Sequence, residues 1–168
     1  KQLHEHSLTA EFIFDWDVED LTDEIINQYF IGDNLSLAQK SCAMKHVCAL
    51  QKVAGSNSEF NLILEDDALF SEDFDTGLRH ALQQSDQFPG NKVIYIGCGG
   101  NFYTPKSQRK EGQYLYVGSR DRFADSYIID SATAQKRLDW IAENRISKPI
   151  DSQFRIIDIQ EGIKMLWL

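Results

Sequence analysis

The chain has little of what would cross-link or interrupt it: three cysteines, three prolines and two methionines in 168 residues. Three thiols close no disulfide framework. Cys42 and Cys48 stand six apart in a helical stretch, with no C-x-x-C and no His pair at zinc spacing. They read, with Cys98, as buried free thiols of a reducing compartment. No apolar run approaches the ~18–20 residues that a membrane span needs, and no secretory leader pattern is present. Positive charge is also scarce: 17 Lys and Arg against 26 Asp and Glu give a net charge of −9. That balance argues against a nucleic-acid binder or an anionic-membrane binder. Repeats and low-complexity linkers are absent, so one domain over 1–168 is expected.

The composition is that of a globular protein, 42% apolar and 26% charged, and the charge is unevenly spread. Residues 1–33 hold nine acids against Lys1 alone. Residues 59–75 hold seven acids and no base, and 106–122 hold five bases against two acids.

Periodicity predicts the elements. Residues 2–8 end a helix, 11–14 form a short strand, and 19–31 form a weak amphipathic helix or an irregular segment. Ser36 and Gln39 have capping-box spacing, and apolar residues at helical spacing extend the helix over 37–54. The apolar runs 60–64, 92–96 and 126–129, bounded by turn residues, suit buried strands of a mostly parallel sheet. Ser71 is placed to cap a helix running to Ser85, and Asp151 to cap one closed by Gly162. A helix over 131–144 and strands at 113–117 and from 164 onward complete an α/β layered fold, with ligands expected at strand carboxyl ends.

The strongest local signal is Glu65-Asp66-Asp67, directly after the run Leu62-Ile63-Leu64. Adjacent carboxylates raise one another's pKa unless something neutralises them. A hard cation such as Mg2+ or Mn2+ does so with oxygen ligands. In extended backbone Glu65 and Asp67 share a side and Asp66 faces away; a solvated acidic turn is the competing reading. Asp15-Trp16-Asp17 repeats the acid-x-acid pattern but fails as a calcium loop, whose sixth position needs Gly where Asp20 stands. It reads as a solvated face. Lys106, Arg109, Lys110, Arg120 and Arg122, interleaved with Tyr103, Tyr114 and Tyr116, suit a phosphate-bearing substrate or a solvated loop. Gly97 to Gly100 permits close backbone approach to a ligand but has neither Walker nor full dinucleotide spacing. His46, one turn from Cys42, reads as a core or edge histidine.

Three blocks in order resemble glycosyltransferase family 25, which includes lipopolysaccharide-biosynthesis and collagen galactosyltransferases. The pattern L-s-x-G-E-x-G-C-x-x-S-H is met at Leu35 to His46 by Leu35, Ser36, Cys42 and His46, with Ala38, Gln39, Ser41 and Lys45 departing. L-I-L-E-D-D-x-x-F-x-x-D-F is met almost completely at Leu62 to Phe74. Y-x-I-S-x-x-x-A-x-x-L is seen from Tyr127 to Leu138, and P-x-D follows at Pro149-Ile150-Asp151.

The resemblance implies a GT-A-like, Rossmann-like fold with a mixed, mostly parallel sheet flanked by helices. It implies inverting transfer of a sugar, galactose among the options, from a nucleotide-sugar donor such as a UDP-sugar to a glycan or lipid-linked acceptor such as lipopolysaccharide. It implies a divalent metal, Mn2+ or Mg2+, held by Asp67 with Glu65 or Asp66. Arg109, Arg120, Arg122, Tyr95, Gly97 and His46 are the donor-binding candidates. Asp125 and Asp151 are the candidates for the general base. Cytoplasmic placement, peripheral at the inner membrane face, goes with it. The family's opening strand, v-I-N-L-x-x-x-x-x-R, precedes Lys1, so a domain incomplete at its start, with a strand still running at its end, is expected. Two other readings use the same residues: a catalytically inactive carbohydrate-binding relative, and a metal-dependent phosphohydrolase.

Overall fold

A computed structural model describes residues 2–97, 104–118 and 123–168. Cys98 to Tyr103 and Ser119 to Arg122 lie outside the described residues, and with them the expectations for Arg120, Arg122 and most of the glycine cluster.

The elements run α1 (Gln2–Glu5), α2 (Asp23–Tyr29), α3 (Leu37–Ala54), β1 (Asn61–Leu64), α4 (Phe74–Ser85), β2 (Lys92–Tyr95), β3 (Tyr116–Val117), β4 (Ser126–Ile129), α5 (Ser131–Asn144), α6 (Ile150–Gln160) and β5 (Lys164–Trp167). The five strands form one sheet in the order β1-β4-β2-β5-β3. β4 is antiparallel to both β1 and β2, β5 is parallel to β2, and β3 is antiparallel to β5. The sheet is therefore mixed, and the expectation of a mostly parallel one is corrected. β1, β2 and β5 share a direction, but β4 is inserted between the first two and converts what would be a parallel pair into two antiparallel ones.

The two faces of the sheet explain its apolar runs. Val93, Tyr95, Tyr127, Ile129, Met165 and Trp167 point into a core shared with Met44, Val47 and Leu50 of α3, Ile141 of α5 and Phe154 and Ile157 of α6. The alternate residues Ile94, Ile128 and Leu166, in cross-strand register, point the other way. They meet Ala81, Leu78 and Leu82 of α4. Burial on both faces requires apolar residues at successive positions, as in a parallel sheet, although most pairs here are antiparallel. β1 is an edge strand and all four of its residues are only half-buried.

Local chemistry sets the helix ends. The capping box at α3 is formed: Ser36 N donates to Gln39 Oε1 at 2.9 Å and Gln39 N to Ser36 Oγ at 3.2 Å. Asp130 caps α5, accepting from Thr133 N at 2.7 Å. α4 begins at Phe74 rather than after Ser71. Ser71 Oγ bonds Asp73 Oδ1 at 2.7 Å, and Phe70 stacks on Phe74 at 4.2 Å. α6 takes Pro149 as its N-cap, and Asp151 sits in the first turn, accepting from Ser152 N at 2.9 Å. Proline suits such a start because the first N–H groups of a helix have no intrahelical partner. Residues 11–14 are not a strand. They have no ladder partner, and Phe12 and Phe14 stack on each other in solvent at 5.8 Å.

One buried ion pair ties the layers together. Arg137 of α5 donates from Nε and a terminal nitrogen to the two carboxylate oxygens of Asp158 on α6, at 2.9 and 2.7 Å. The same guanidinium donates to Tyr95 Oη of β2 at 3.0 Å and lies 4.0 Å from the Phe154 ring centroid. Burial works against the Arg137 charge, and the Asp158 carboxylate outweighs it, so the guanidinium is held protonated.

Candidate functional site

The carboxyl ends of β1 and β2 and the amino end of β4 lie at one edge of the sheet because β4 runs against its neighbours. Glu65 follows β1, Gly97 closely follows β2, and Asp125 precedes β4. Glu65 N donates to Asp125 O at 2.8 Å. Asp125 also reaches over Gly97: a Cβ at Gly97 would run into its carboxylate. Only glycine leaves room for that approach.

Two further elements converge there. α3 presents Cys42 and His46, one turn apart on one face. The start of α6 presents Asp151. A pocket of about 170 Å³ is lined by Gln39 and Cys42 of α3, Glu65, Phe123, Ala124, and Pro149, Ile150 and Asp151.

Glu65 is the hub. Its Oε1 lies 3.3 Å from His46 Nε2 and 3.9 Å from Cys42 Sγ. The other ring nitrogen of His46 lies 3.2 Å from Tyr127 Oη, and the rings of His46, Tyr127 and Phe154 pack against one another in a triangle. The bond from His46 holds the Glu65 carboxyl below its ordinary range, against the opposing effect of burial. Burial first, then the charges of Glu65 and Asp151, push the Cys42 thiol up to about 11.

The structure separates the three consecutive acids. Glu65 is half-buried at the hub, whereas Asp66 and Asp67 are exposed. Ala68 N donates to Glu65 O at 3.3 Å, closing a turn over the two aspartates. The alternation expected of extended backbone therefore stops at Glu65. Among the described residues, the one group of His, Cys, Asp and Glu side chains whose ligand atoms lie mutually within metal reach is Cys42, His46 and Glu65. Asp66 and Asp67 are not part of it. Asp17 of the other acid-x-acid pattern pairs with Lys45 at 2.6 Å.

The remaining candidates divide. His46, Gly97, Asp125 and Asp151 lie about this end of the sheet. Tyr95 ends β2 there, but its side chain is buried, with its hydroxyl on the Arg137–Asp158 pair. Arg109 is exposed and donates from Nε to Thr104 O at 2.8 Å. Its segment is anchored on α4, where Gln84 accepts from Tyr114 N and Leu115 N. Cys42 and Gln39 take part without having been singled out as site residues, and Tyr127 enters through its hydroxyl on His46. The available signal was a Cys and a His four apart on an apolar helix, which acquires meaning only when a carboxylate meets it.

Among the described residues, no helix is long and apolar enough to cross a membrane. Residues 2–154 match the family model described as glycosyltransferase family 25 (LPS biosynthesis protein). No curated protein matches the chain.

Proposed function

The chain belongs to glycosyltransferase family 25, and from that premise we propose that it is an inverting, metal-dependent transferase on a GT-A-like fold. It moves a hexose from a nucleotide-sugar donor, a UDP-sugar, to a glycan or lipid-linked acceptor of the lipopolysaccharide type. It acts in the cytoplasm at the inner membrane face. The observation that carries the reading is the family match together with four functional side chains about one end of the sheet. These are Glu65, His46, Asp125 and Asp151, three of them acids.

Asp151 is the favoured general base, because it lines the pocket. Its carboxylate would take the proton of the acceptor hydroxyl as that oxygen attacks the anomeric carbon and the nucleoside diphosphate leaves from the opposite side. Asp125, packed against Gly97, positions backbone at the donor side. Asp66 and Asp67 offer exposed oxygen ligands, the chemistry that Mn2+ and Mg2+ prefer, with water and donor phosphates completing the shell. Such an ion, when bound, would offset the negative charge of a departing diphosphate. Arg109, with Arg120 and Arg122, would add further cationic contacts to the same phosphates.

A thermal-shift screen of nucleotide sugars and nucleoside diphosphates, with and without Mn2+, tests this. A ligand at 100 times its Kd stabilises by about 2.7 kcal/mol, a rise of several degrees in a domain of this size. The expected result is a rise that needs both nucleotide and metal and that Asp67→Ala removes. No response to any nucleoside diphosphate in the presence of Mn2+ overturns the reading. A response to glycans alone points to a binding protein, and phosphate release from simple esters to a phosphohydrolase.

A further inference from the structure

We infer that Cys42, His46 and Glu65 form a binding site for a thiophilic divalent cation, Zn2+ above all, with a fourth coordination position open toward the adjoining pocket. The inference rests on the geometry of these three side chains and not on glycosyl transfer.

The donor set is one that zinc takes: a thiolate, an imidazole and a carboxylate. With Zn–S about 2.3 Å and Zn–N and Zn–O about 2.0–2.2 Å, ligand atoms around a tetrahedral zinc stand roughly 3.3–3.6 Å apart. Here the three atoms lie within 4.8 Å of one another, with Glu65 Oε1 at 3.3 Å from His46 Nε2 and 3.9 Å from Cys42 Sγ. Side-chain adjustments of up to about 1 Å draw the three atoms around the ion.

The support behind the ligands fits as well. A zinc-ligating histidine usually gives its second ring nitrogen to a fixed partner, and His46 Nδ1 lies 3.2 Å from Tyr127 Oη. The tyrosine hydroxyl serves both states. When His46 Nε2–H donates to Glu65, Tyr127 donates to Nδ1. When Nε2 binds metal, the ring proton sits on Nδ1 and Tyr127 accepts it. Loading the ion releases the Cys42 thiol proton to solvent, leaving the thiolate as ligand. Cys42 and Glu65 both border the pocket, so water or an oxygen anion can reach the fourth position. Three protein ligands and one open position describe a zinc that binds something, not one that only braces a fold.

Soft and hard ions are thereby sorted by donor type. The cluster offers sulfur and nitrogen, while Asp66 and Asp67 offer oxygen alone.

The test is Co2+ titration of the metal-free full chain without nucleotide, followed by optical spectroscopy, with Zn2+ as competitor. Expected are a thiolate-to-cobalt charge-transfer band that saturates at one Co2+ per chain, and loss of that band on adding Zn2+. C42S removes the band and C48S keeps it. H46Q and E65Q weaken binding, and Y127F lowers affinity roughly 10- to 100-fold. Circular dichroism confirms that each variant folds. A wild-type chain without a thiolate band overturns the proposal, whatever the variants do. So does a band that survives C42S. Because nucleotide is absent, failure here leaves the transferase reading standing, and failure of the thermal-shift screen leaves this one standing.

Discussion

At the scale of the residue, Glu65 shows how neighbours decide the behaviour of a group. It shares its acidity with Asp66 and Asp67 in the sequence, yet only its carboxyl meets a histidine and a thiol. The thiol carries the clearest consequence. Its pKa is pushed up to about 11 by burial and by the charges of Glu65 and Asp151, so at pH 8 Cys42 is almost entirely protonated and slow to alkylate. Iodoacetamide labelling followed by mass spectrometry should show Cys42 reacting more slowly than an unhindered thiol, with its rate still rising above pH 10. Glu65→Gln removes the second cause of the shift, so labelling at pH 8 should quicken. The linkage has a definite sign. A thiol pKa raised in the folded state stabilises the fold below the ordinary value near 9 and loses that contribution as pH climbs through about 11. Glu65 was legible as chemistry because an acid after an apolar strand is conspicuous. Cys42 and His46 were legible as a helix face but not as its partners, since only tertiary packing brings the end of β1 to α3.

At the scale of the element, local signals were legible wherever the deciding interactions lay within a few residues. The helix over 37–54, its Ser36–Gln39 box, the strand over 126–129 and the helix over 131–144 all follow from period and cap. The start of α4 was not legible at Ser71, because His6, just beyond the distant α1, packs edge-on against Phe70 and Phe74 and approaches Asp75 at 3.0 Å. Residues 11–14 carry a strand's composition without a strand's neighbour. The cap of α3 is open to a direct measurement. Ser36→Ala removes the side-chain acceptor for Gln39 N and should cost about 1 kcal/mol, read as a lower midpoint with unchanged slope in urea unfolding. A loss below a few tenths would show that the packed face of α3, not its cap, holds the helix start.

At the scale of the whole molecule, the Arg137–Asp158 pair joins α5 to α6 and both to Tyr95 of the sheet. Removing one partner strands a buried charge. Arg137→Met or Asp158→Leu should therefore each cost about 3–5 kcal/mol in urea unfolding. The double variant should recover much of the loss, because apolar groups of similar volume satisfy the same space. A double variant as damaged as the sum of the singles would mean that the pair is not what those side chains contribute. The pair was not legible in advance: both residues are charged positions on helices whose inward faces are set by the sheet order, and that order was expected to be more parallel than it is.

That order has one more effect. No two strands adjacent in the sheet follow one another in the chain: β1 waits for β4, β2 for β4 and β5, and β3 for β5. Among the described residues no hairpin is available as a folding seed, and every ladder has to close over a long loop. A ribosome making this chain releases β1 and β2 with open hydrogen-bonding edges on both sides. The sheet gains its continuity only when Lys164 to Trp167 slides in between β2 and β3.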